Sequence, residues 1–180
     1  DFSVMLNSVI AGQGSHDFIS RGWEVATEGN PLSHTILRGA VSKHGNTIPN
    51  YHYEDLQRLL DMYSQKNLAN PAVIIDANHS NSGKQFKQQI RIVKEVLHSR
   101  LVSREIQNLV KGVMVESYLV EGNQKIGPNH IYGKSITDPC LGLFSGMCFH
   151  IHIPDFIYIH IHINLGCGNI GMSHHFLYTL

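Results

Sequence analysis

Apolar positions along this chain switch repeatedly between a helical and an extended period. Over residues 3–12, Val4, Met5, Val9 and Ile10 fall at roughly helical spacing and predict an amphipathic helix. HDFIS (16–20) and GWEVAT (22–27) are short strand candidates that would pair as a hairpin. HTILRGA (34–40) is a further apolar run ending in Arg-Gly, and SKHGNTIPN (42–50) reads as loop. From Tyr53 the pattern is helical again: Tyr53, Leu56, Leu59, Leu60 and Tyr63 mark one face, with Glu54 and Asp55 in the first turn. PAVIIDANH (71–79) and GVMVESYL (112–119) are continuous apolar runs that end in polar residues, the signature of strands buried on both faces of a parallel sheet. Between them, Ser82 to Val110 reads as mostly helical, with Phe86, Ile90, Val93 and Leu97 on one face and a break near 102–104. EGNQKIGPNHIYGKSITD (121–138) is a long, polar, Gly-containing loop.

Alternating strands and helices predict an α/β fold with parallel strands joined by crossover helices. An open doubly wound sheet and a closed (β/α)8 barrel both fit that order. No GxGxxG follows any strand, so a dinucleotide-binding sheet has no support.

The pattern changes after Gly142. From there on Asp155 is the only charged residue apart from histidines, and FHIHIPDFIYIHIHI alternates His with Ile. Residues 1–142 are therefore expected to form the fold, and 143–180 to be an aberrant low-complexity tail outside it. His150, His152, His160 and His162 would project from one face of a strand and could bind a metal. The plainer reading is translation of a simple repeat past a splice site or frameshift.

The remaining composition narrows the function classes. A chain of 180 residues suffices for one domain with a core. The formal net charge of +0 points to no nucleic-acid partner, and no apolar stretch is long enough to span a bilayer. The opening DFSVMLNSVIAG lacks the basic region of a signal peptide and reads as a helix beginning mid-protein. Cys140, Cys148 and Cys167 form no CxxC pair, so a reducing cytoplasm is the default compartment.

Three polar clusters lie just past predicted strand ends: Arg38 after TIL, His79 after VIIDAN and Glu116 after VMV. Asp138 closes the long loop after the last strand. In a barrel these ends share the face that carries the active site. His, Glu and Asp there would make a mixed nitrogen and oxygen site for Mn, Fe, Co or Zn. Read singly, each has a plainer explanation: a hydrogen-bonded histidine at a strand end, an arginine in a surface ion pair.

Five stretches weigh against the plainer explanations. GNPLSHTILRG, IPNYHYEDL, IIDANHSNSGKQF, GVMVESYLVEGNQKIG and YGKSITDPCLG resemble, in order and spacing, the motifs of type I 3-deoxy-D-arabino-heptulosonate 7-phosphate (DAHP) synthases. The resemblance covers about residues 3–142. It implies part of a (β/α)8 TIM barrel, roughly its C-terminal half: the last helix before strand six, an inserted β-hairpin, and strands six to eight. It implies a transferase of the shikimate pathway that joins phosphoenolpyruvate to erythrose 4-phosphate and water, releasing phosphate. It implies a divalent metal cation held by a Cys, a His, a Glu and an Asp, of which His79, Glu116 and Asp138 match the last three. His79 is also the expected catalytic residue. Arg38 matches an arginine that binds the phosphate of phosphoenolpyruvate, for which a guanidinium fork is well suited. Phe18, Ser20 and Val25 match positions lining a feedback site for aromatic amino acids in some members, though ordinary strand packing explains them equally well. The complete enzyme would be a cytoplasmic homo-oligomer.

The chain departs from the family pattern in four places. The GPCSxH motif with the Cys ligand does not occur in these residues, and Cys140 does not replace it. The catalytic Lys-Pro-Arg-Thr stretch does not occur either. LGLFSGMCFHIHIP stands where the family continues LGW-E into a final helix, and Arg-Gly-Ala (38–40) where many members have Arg-Gly-Gly. A catalytically dead remnant and a His-rich metal-binding protein acting through its tail are the rival expectations.

Overall fold

The computed structural model describes residues 1–66 and 68–142, and the backbone alone of residues 160–162 and 174–179. Helix α1 (Phe2–Gln13) leads into an antiparallel hairpin, β1 (His16–Ser20) and β2 (Trp23–Thr27). Its turn holds Arg21 and Gly22 at φ 49° and 81°, both positive as a two-residue type I′ turn requires. Strand β3 (Thr35–Leu37) follows, then the small hairpin β4 (Ala40–Val41) and β5 (Thr47–Ile48), then α2 (Tyr53–Ser64). Strand β6 (Val73–Asp76) is separated from β7 (Val110–Tyr118) by helices α3 (Gln89–Val102) and α4 (Arg104–Leu109). Three short strands complete the fully described part: β8 (Val120–Asn123), β9 (Lys134–Ser135) and β10 (Leu141–Gly142).

The main sheet carries β3, β6 and β7 side by side and parallel, with Leu37 beside Ile75 and Ile75 beside Val113. Strand β10 runs parallel to the end of β7. The backbones of β11 (His160–His162) and β12 (His174–Thr179) continue the sheet antiparallel, β12 lying on β7. Apart from these two backbones, the expectation of a low-complexity tail over 143–180 lies outside the described residues.

Strand alternation sorts the side chains between two faces. Leu37, Ile75 and Val113 join Leu56, Leu59, Val93, Val96 and Ile106 of the helices in one buried core. The opposite face carries Ile36, Ile74 and Met114, and at the C-terminal strand ends Asp76 and Glu116. Tyr63 fastens α2 to the sheet, its hydroxyl donating to Ala72 O at 3.1 Å and Thr35 Oγ1 at 3.3 Å. Burial pushes this phenol above its usual pKa.

Several sequence expectations shift. In α1 the buried positions are Leu6 and Val9, while Val4 is 64% and Ile10 41% exposed. The helix expected from Ser82 begins only at Gln89, after one 3-10 turn. Gly83 and Lys84 at φ 60° and 62° interrupt it, because left-handed residues cannot continue a right-handed helix. The expected break near 102–104 is present, where the Ser103 hydroxyl accepts from the Ile106 amide and caps α4. Among the described residues, no helix is long and apolar enough to cross a membrane.

Candidate metal centre

The site forms where β6 and β7 end. After Asp76 the chain leaves the sheet, and His79 takes φ 44°, a left-handed backbone uncommon outside glycine. That turn directs the ring toward the end of β7 and the loop after β9. His79 Nε2 lies 3.4 Å from Glu116 Oε1 and 3.5 Å from Asp138 Oδ2. One ligand atom from each of the three residues can be chosen so that all lie within 4.8 Å of one another. Donors about 2.1 Å from a shared tetrahedral cation stand roughly 3.4 Å apart, the spacing that His79 Nε2 keeps from each carboxylate. One imidazole and two carboxylates suit a borderline divalent cation. The group thus fits the metal that the sequence resemblance implies.

Each candidate ligand is held from behind. Asp76, only 3% exposed, accepts from His79 Nδ1 at 2.7 Å. Its other oxygen accepts from the Asn78 amide at 2.9 Å. The Asn78 side-chain amide donates to Glu116 Oε2 at 2.6 Å. Lys84 Nζ lies 3.3 Å from Asp138 Oδ1. The fully buried Gln89 carboxamide accepts from Glu116 N at 2.8 Å and donates to Glu116 O at 3.1 Å. It takes over where β6 has turned away and β7 would otherwise expose backbone polar groups. None of Asp76, Asn78, Lys84 and Gln89 was expected from sequence. The one available signal was Asp76 itself, a carboxylate ending an apolar run three residues before a histidine.

Cys140 is buried beside the site but is not among the residues able to hold the cation. Its thiol donates to Asp138 O at 3.4 Å. Burial, then the charges of Glu116 and Asp138, push its pKa up to about 11, with a Ser135 hydrogen bond opposing.

Arg38 follows β3 directly, and the register puts it level with Asp76 at the same end of the sheet. It is exposed and forms no hydrogen bond or ion pair among the described residues. Its backbone is fixed by its neighbours. Gly39 N donates to Asn50 Oδ1 at 2.9 Å, and Asn81 Nδ2 donates to Leu37 O at 3.0 Å and Asp76 O at 2.8 Å. Gly39 has φ 74°, and a Cβ there would lie 2.8 Å from Asn81 N. Phe18, Ser20 and Val25 lie in the separate two-stranded sheet, Phe18 paired with Val25 and Ser20 with Trp23. Phe18 and Ser20 are exposed and Val25 half-buried.

Comparison with known proteins accords with this geometry. The Trp-sensitive phospho-2-dehydro-3-deoxyheptonate aldolase of Enterobacter agglomerans is 38% identical over 146 residues, 77% of this chain and 39% of that protein. The phospho-2-dehydro-3-deoxyheptonate aldolase of Haemophilus influenzae is 36% identical, over 77% of this chain and 38% of its own length. The chain thus spans about two fifths of the curated relatives it matches. The solved structure of phospho-2-dehydro-3-deoxyheptonate aldolase from Francisella tularensis superposes with a TM-score of 0.71 at 29% identity, covering 82% of this chain and 42% of that one. The family model described as the DAHP synthetase I family matches residues 2–145, and the chain belongs to that family.

Proposed function

We propose that residues 1–142 are the C-terminal part of a type I DAHP synthase barrel, in which His79, Glu116 and Asp138 bind a divalent cation and Arg38 binds a substrate phosphate. The observation that carries this reading is the convergence of the three ligand atoms at the C-terminal ends of parallel strands. When bound, the cation supplies Lewis-acid polarisation of a substrate oxygen. The chain's own residues do the rest of what it contributes. Buried Glu116 and half-buried Asp138 fix negative charge opposite His79. Arg38, exposed at the same strand ends, offers a planar fork for the phosphate of phosphoenolpyruvate. Erythrose 4-phosphate would be the second substrate, held by parts of the complete enzyme beyond these residues. Positioning two phosphorylated substrates would supply much of the rate.

The β1–β2 hairpin, with Phe18, Ser20 and Val25, is on this reading an insertion that serves as a feedback site. On this reading the complete enzyme is a cytoplasmic homo-oligomer, and residues 143–180 are no part of the family barrel, although the β11 and β12 backbones lie on the sheet in this chain.

The metal reading is tested by titrating the chain with Mn2+ and following free Mn2+ by electron paramagnetic resonance. One site per chain is expected, and His79→Ala or Glu116→Ala should weaken it at least about a hundredfold. Equal binding by wild type and His79→Ala would refute the reading.

A further inference from the structure

The three candidate ligands come from three different places in the chain, yet one short segment braces all of them. Residues 76–84 supply Asp76 to His79 Nδ1, Asn78 to Glu116 Oε2 and Lys84 to Asp138 Oδ1. In each case the braced atom is not the one that meets the other ligands: Nε2, Oε1 and Oδ2 do that. We propose that Asp76, Asn78 and Lys84 are positioning residues that preset the metal site before a cation arrives. The inference rests on the metal reading above and deepens it.

Each brace has a distinct physical action. An ionised carboxylate only accepts hydrogen bonds, so the 2.7 Å contact puts the proton on His79 Nδ1 and the lone pair on Nε2. The imidazole then presents its ligand atom without tautomeric rearrangement, and the ring is held in place from behind. Asp76 is itself fixed, because its second oxygen accepts from the Asn78 amide. Asn78 also accepts from the Ser82 hydroxyl at 3.0 Å, which orients its amide so that nitrogen faces Glu116. Lys84 differs in being 68% exposed, so its pair with Asp138 is solvent-screened and its contribution small. The positive φ of His79 and Lys84 is the backbone condition for fitting all three braces into one tight turn.

The ranking follows from burial. In Mn2+ titrations of the 180-residue chain, Asp76→Asn and Asn78→Ala should each weaken binding about tenfold or more. Lys84→Met should weaken it less than about fivefold. Lys84→Arg, which keeps the cation, should restore wild-type affinity. Asp76→Asn is nearly isosteric, which protects the fold, and far-UV circular dichroism checks that each variant retains it. A purely structural role predicts unchanged spectra once folding is intact. Positioning predicts instead that the Co2+ visible spectrum, which reports ligand geometry, shifts in Asp76→Asn and Asn78→Ala. Folded variants with wild-type Mn2+ affinity and an unaltered Co2+ spectrum would overturn the proposal while leaving the metal reading intact. Failure of the wild-type chain to bind Mn2+ would remove both.

Discussion

Gly39 has a consequence for both substrate binding and stability. Its φ of 74° and its approach to Asn81 and Ser80 leave no room for a Cβ. Gly39→Ala should therefore cost about 2 kcal/mol or more in urea unfolding. Because Asn81 also holds Leu37 O and Asp76 O, the same change should weaken Mn2+ binding as the strand ends shift. Wild-type stability in that variant would mean the loop relaxes freely. At this scale the convergence of His79, Glu116 and Asp138 was legible in the sequence: His79 and Glu116 end apolar runs, and the family motifs single out Asp138 in its polar loop. The braces were not. Asn78 and Lys84 resemble any polar loop residues until the left-handed turn at His79 folds them back on the ligands.

Between elements, two contacts connect the helices to the site. Gln89 begins α3 and substitutes for a missing strand neighbour of Glu116. Truncation by Gln89→Ala would strand a buried amide and carbonyl, at a cost of about 2–4 kcal/mol, read from the urea midpoint. Sequence periodicity concealed this residue: the stretch from Ser82 scans as continuous helix, and a glutamine within it reads as solvent-facing. The start of α3 was misplaced for the same reason, since periodicity does not register Gly83 and Lys84 at positive φ. Tyr63 gives the second contact, and its raised pKa carries a pH dependence. The folded phenol holds its proton above the range where the unfolded one loses it. Its contribution is complete below about pH 10 and is lost as pH rises through the folded value. Urea midpoints should fall between pH 9 and pH 11, and Tyr63→Phe should remove part of that fall. An identical decline in Tyr63→Phe would assign it to other groups.

For the molecule as a whole, the parallel order of β3, β6 and β7 was readable because buried strands and crossover helices leave distinct periods. What periodicity left open was whether the sheet is open or closed, since neither alternation nor spacing encodes closure. The chain matches about two fifths of its relatives' length, and that proportion separates two properties that the complete enzyme would combine. On the proposed reading, metal binding would draw on His79, Glu116, Asp138 and their braces, which lie within residues 76–84 or are reached across β7 and the following loop. By the family resemblance, synthase chemistry would need more: a Cys ligand, a catalytic lysine and further phosphate-binding cations, none in the motifs expected for them within these residues. We therefore expect the purified 180-residue chain to bind Mn2+ yet to show no Mn2+-dependent consumption of phosphoenolpyruvate with erythrose 4-phosphate. Holding both substrates in a reactive pose is worth many orders of magnitude in rate, and Arg38 alone cannot hold two phosphates. Joining these residues to the remaining part of a family barrel should bring activity, which His79→Ala should then abolish. Turnover by the chain on its own would show that the strand ends described above already contain a sufficient active site.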